Sequence, residues 1–121
     1  MKLVIAIIQP SKLNAVREAL EKIEVARMTI CDAQGFAQQF GREAPLGQDE
    51  LQSRPDAPPV LLRKVVLEVV VNDDFLDRAV ETISNVARTG SEGTIGDGKI
   101  FIVPAQQAVQ VNDGRRGLGA V

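Results

Sequence analysis

Two stretches of the chain carry apolar residues almost without interruption. KLVIAII at 2–8 and KVVLEVVV at 64–71 are rich in β-branched residues and too short for helices, so both predict strands. After a short polar stretch, each gives way to apolar residues at three- and four-residue steps. These are Leu13, Val16, Leu20 and Ile23 in the first half, and Leu76, Ala79, Val80, Ile83, Val86 and Ala87 in the second. That spacing predicts two amphipathic helices. The halves superimpose, Leu13 on Leu76, Leu20 on Ile83 and Ile23 on Val86, with Ser11 and Asp74 at the expected N-cap positions. A further strand follows each helix, at about 27–36 and 99–103.

The pattern is thus βαβ twice. Two such units sharing one antiparallel sheet, with both helices on one face, make an α+β, ferredoxin-like βαββαβ fold. The strands are apolar on both sides, so the second sheet face, which this reading assigns to Val4, Ala6 and Val69, also needs a cover. A chain of 121 residues has nothing to offer but another copy of itself, which predicts a homo-oligomer.

Between the halves, residues 38–63 mix Gly, Pro and charge with no sustained period. A loop this long inside a compact domain is uncommon and usually serves function, here as a docking loop. A second loop, 89–99, is rich in glycine and ends in IGDGK. Gly90 stands as a C-cap for the second helix, and Arg88 complements its dipole. Gly96-Asp97-Gly98-Lys99 reads either as a tight turn opening a strand or as a backbone cradle with a cation for a phosphate. In a βαββαβ fold this loop lies at the same end of the sheet as the base of 38–63. A ligand held at one loop would then bias the other, as in a sensor.

Composition narrows the classes. With 14 Lys+Arg against 16 Asp+Glu, the chain has no broad basic field, and it lacks Trp and Tyr, so a nucleic-acid partner is not expected. The absence of His removes the usual general base and the commonest zinc ligand, and Asp97 is the one base near Lys99, so the chain is read as no enzyme. The lone Cys31 excludes an internal disulfide and is read as a core residue in a reducing compartment. Residues 2–10 are too short to span a membrane, and a cytoplasmic protein without membrane insertion is expected.

AIIQP at 6–10, Gly35-Phe36 with Gln39 after it, the long loop, Lys64 leading into VVLEVVV, ARTG at 87–90 and IGDGKIF at 95–101 together resemble the PII nitrogen-regulatory signal proteins over nearly the whole chain. The resemblance implies one PII-like domain over 1–121, with a T-loop at about 38–63 and a phosphate loop at about 89–99. It implies a homotrimer binding ATP or ADP in the clefts between subunits, and 2-oxoglutarate through Mg-ATP. The T-loop would then dock on an ammonium transporter or a nitrogen-metabolism enzyme or regulator.

Residue by residue, the resemblance puts Ile7, Gly35, Phe36, Gln39, Val70, Thr89, Gly96, Asp97, Gly98 and Lys99 at the nucleotide. It puts Gln39 beside the Mg2+ and, with Lys64, at 2-oxoglutarate. Three arginines usual in the family are replaced by Gln38, Gln110 and Asn112. Each represents a charge-assisted contact on the order of 1.5 to 3 kcal/mol. Arg115 and Arg116 are the candidates to replace them. With no Tyr, the tyrosine modification of many members is excluded. The alternative is a divergent PII-like trimer that senses another nucleotide or a metal and regulates a non-ammonium transporter, or one that has lost nucleotide binding.

Overall fold

The computed structural model describes residues 1–37 and 60–121. Its order is β1 (Lys2–Ile8), α1 (Leu13–Lys22), β2 (Thr29–Ala37), β3 (Val60–Val71), α2 (Asp73–Ala87) and β4 (Gly98–Pro104), with single 3-10 turns at Pro10–Lys12 and Gly117–Ala120. The strands form one sheet in the order β2-β3-β1-β4, every neighbouring pair antiparallel. This is the ferredoxin-like βαββαβ arrangement expected from the repeat.

The duplication is visible in the packing. Leu20 and Ile83 are fully buried, as are Val16 and its counterpart Ala79, and both helices settle on the same sheet face. The helix starts differ from expectation. Pro10 opens a 3-10 turn closed by Lys12 N–H to the Gln9 carbonyl, so Ser11 caps nothing, and Asn72 rather than Asp74 is the N-cap of α2. Asp73, one residue on, is held below the usual carboxylate range by its hydrogen bonds to Lys2 and the N-terminal ammonium.

Helix α1 ends in a Schellman closure. Val25 N–H donates to the Leu20 carbonyl and Glu24 N–H to that of Glu21, with Glu24 in the left-handed region at φ +66°.

The sheet faces are the reverse of those expected. Val4 and Ala6 on β1 and Val69 on β3 point into the helix-covered core, each at most 3% exposed. The uncovered face carries Leu3, Ile5 and Ile7 with Val66, Glu68 and Val70. It is completed by Lys99, Phe101 and Val103 of β4, and by Cys31 of β2, which is exposed rather than in the core. Because β1 and β3 are apolar on both sides, alternation leaves the inward parity open until the helices dock.

Strand β3 begins at Val60, four residues before the apolar run, through pairing with β2. Residues 38–59 of the expected T-loop lie outside the described residues. Among those described, no helix is long and apolar enough to cross a membrane.

Candidate functional site

The loop from Thr89 to Gly98 is organised around one carboxylate. Asp97 accepts the Thr89 N–H at 2.9 Å, the Thr89 hydroxyl at 2.5 Å and the Thr94 N–H at 2.8 Å, while its own N–H donates to the Thr94 carbonyl at 3.1 Å. Burial pushes its pKa up, but the Thr89 hydroxyl, the two amides and the nearby Lys12 charge together hold it below the usual carboxylate range. Ionised and engaged in this way, Asp97 is the keystone of the loop, which leaves it poorly placed to act as a general base.

The flanking glycines have separate causes. Gly98 has φ +133°, and a Cβ there would lie 1.9 Å from the Ile7 carbonyl oxygen, so the close approach of β4 to β1 demands glycine with or without a ligand. Gly35 is different. Its φ is ordinary, and a Cβ would sit 3.4 Å from the Lys64 Cγ, a normal contact, so the fold of this chain makes no demand for glycine there.

Lys64 joins the two expected loops. From β3 it is only 8% exposed, and its Nζ donates to the Gly96 carbonyl at 2.9 Å. The same carbonyl accepts Gln9 Nε2 at 2.6 Å. Among the described residues, Lys64 has no carboxylate partner, so an incoming anion would meet a buried cation without a counter-charge. Lys99 lies directly across from Ile7 in the β1·β4 ladder, on the uncovered face, and its ammonium has no ion-pair partner among the described residues. A cleft of about 620 Å³ lies against the loop, floored by Ile83, Ala87 and Ile100, rimmed by Arg88 and Glu92, and lined also by Asp97, Gly98 and Lys99. Neither Ile7 nor Gly35 lines it.

The remaining predicted residues lie elsewhere. Phe36 pairs with Leu61 in the β2·β3 ladder, and Gln38 and Gln39 lie outside the described residues. Val70 pairs with Leu3, four residues along β3 from the Val66 that pairs with Ile7, so it stands about 13 Å from the Gly98–Lys99 end of the sheet. It lines a depression with Arg27, Ala108 and Gln110.

Arg115 and Arg116 stand at that same far end, because the chain after β4 is tied to the start of β1 by Ala105 N–H to the Met1 carbonyl. They belong to a turn held by Gln110 N–H to the Arg115 carbonyl. Arg115 pairs with Asp113 at 3.2 Å and Arg116 donates to Gln107 at 2.8 Å. The length of β4, about 20 Å, separates them from Lys99 within one chain.

The family model for nitrogen regulatory protein P-II matches residues 1–115. This chain belongs to the P-II family. It is 36% identical to nitrogen regulatory protein GlnK1 of Methanosarcina mazei over all of this chain and 97% of that one. It is 38% identical to nitrogen regulatory protein P-II of Azospirillum brasilense over the full length of both. It is 40% identical to nitrogen regulatory protein P-II 1 of Methanothermobacter thermautotrophicus over all of this chain and 97% of that one. Membership of the P-II family supports a role in signal transduction and is compatible with a regulatory rather than catalytic part.

Three contributors escape a reading of the sequence. Thr94 and Lys12 act on Asp97 through positions no motif marks. Gln9 lies inside the AIIQP stretch, which carries the resemblance without giving this residue a role.

Proposed function

We propose that the chain is a P-II sensor of ATP and ADP, in which 2-oxoglutarate binds with Mg-ATP and the segment 38–63 docks on an ammonium transporter or a nitrogen-metabolism enzyme. The observation that carries this reading is the Lys64–Gly96 hydrogen bond. It links the glycine turn to the strand that leads out of the long segment, so occupancy of one bears on the other.

In this reading the Gly96–Lys99 turn takes the phosphates, with Lys99 as the cation and Thr89 and Asp97 holding its shape. Ile7 and Gly35 flank the base on the uncovered face. Val70, Arg115 and Arg116 stand too far away to serve the same site in one chain. They fit as the contribution of a second copy, seated on the apolar face that the helices leave bare. A homotrimer closes such a head-to-tail arrangement. A Mg2+ in this reading is carried mainly by phosphate oxygens, with Gln39 beside it.

Calorimetric titration with ATP and ADP in the presence of Mg2+, with and without 2-oxoglutarate, tests the reading. Saturable ATP binding that strengthens with 2-oxoglutarate and disappears in Lys99→Ala is expected. Silence with both nucleotides would contradict it.

A further inference from the structure

We infer that Gln9 is a positioning residue for the phosphate loop, fixing the Gly96 carbonyl independently of Lys64. The link to affinity rests on the nucleotide reading above, whereas the geometry does not.

A carbonyl oxygen has two lone pairs, and at Gly96 both are used, one by Gln9 Nε2 at 2.6 Å and one by Lys64 Nζ at 2.9 Å. At φ +106° and with no Cβ, Gly96 has little conformational preference of its own, so the orientation of its peptide comes from its partners. The other end of the same peptide unit is pinned as well, by Asp97 N–H to the Thr94 carbonyl. A unit held at both ends directs the amides that follow it in the turn.

The two donors differ in kind. Gln9 is neutral, and its backbone is held extended between the last residue of β1 and the Pro10 turn, at φ −68° and ψ 138°. Lys64 carries a buried charge that an anion at the turn would attract. Gln9 therefore keeps the loop in place when Lys64 lets go.

Amide hydrogen exchange over residues 94–99 of the nucleotide-free protein, paired with ATP calorimetry, tests this on the wild-type chain, Gln9→Glu, Gln9→Lys and Lys64→Met. At pH 7.5 Gln9→Glu keeps the size but has no donor, and Gln9→Lys restores one. Losing one hydrogen bond of ordinary strength predicts exchange roughly 3- to 10-fold faster in Gln9→Glu, a return toward wild type in Gln9→Lys, and a fall of similar order in ATP affinity for Gln9→Glu. Lys64→Met removes the other donor to the same carbonyl and should speed exchange by a similar factor, and the double variant should exchange faster than either single variant.

Wild-type exchange in Gln9→Glu would overturn the positioning role. Faster exchange with unchanged affinity would overturn its link to the ligand. Failure of the wild-type chain itself to bind ATP would remove the nucleotide reading, while the exchange data still decide the role of Gln9.

Discussion

Lys64 and Gly96, 32 residues apart in sequence, meet through a 2.9 Å hydrogen bond between an ammonium and a carbonyl oxygen. The bond spans the two segments that a sensor has to connect. Replacing Lys64 with Met keeps a long stem against Gly35 and removes a buried charge, so stability should be unchanged or raised by up to ~1 kcal/mol. Any strengthening of ATP binding by 2-oxoglutarate should disappear. Thermal denaturation and calorimetry on the same sample separate these effects.

Gly98 and Gly35 should respond in opposite ways to a methyl group. Gly98→Ala drives a Cβ into the Ile7 carbonyl at a positive φ and should cost about 2 to 4 kcal/mol or prevent folding. Gly35→Ala should change stability by less than about 1 kcal/mol, since nothing in the chain crowds that position. Urea unfolding of both variants measures the contrast. A large loss in Gly35→Ala would contradict the account of the uncovered face.

Asp97 ties the loop to pH. Its folded pKa lies below its unfolded value, so its stabilisation is present above the unfolded value and lost as pH falls through the folded one. The stability gap between wild type and Asp97→Asn should therefore be constant near neutrality and shrink below about pH 4. Urea unfolding at pH 7, 4 and 3 measures it.

Glu24 pays a conformational cost at the end of α1. A non-glycine residue in the left-handed region costs about 1 to 2 kcal/mol, and Glu24→Gly should recover roughly 0.5 to 1 kcal/mol of that in chemical denaturation without altering ligand binding.

The fold was legible because the repeat is written in the buried positions themselves: Leu20 and Ile83 keep their spacing and their burial. The inward parity of the sheet was not, because Val4 and Ile5 are equally apolar. Glu68 was the available clue. It is the one charge inside VVLEVVV, and it marks the even positions of β3 as the uncovered face and Val69 as core. Cys31 follows the same parity, opposite Val66 on an edge strand. For the site, the glycine turn and Lys64 could be read from motifs. The bonds made by Gln9 and Thr94 depend on chain segments brought together only by the sheet. The distance between Lys99 and the Arg115–Arg116 turn likewise comes from the course of β4, which sequence spacing does not convey.

The central claim is that a nucleotide site is completed by two copies of the chain. Lys99→Ala damages one half, and Arg115→Ala with Arg116→Ala damages the other. Each should weaken ATP binding at least about tenfold by itself. Unfolding the two variants together, refolding them and titrating the mixture with ATP tests the claim most directly. Random assembly should restore native-affinity binding at about one site in four, because an intact loop then meets an intact arginine turn from its neighbour. No recovery on mixing, with each variant still assembling normally, would contradict it.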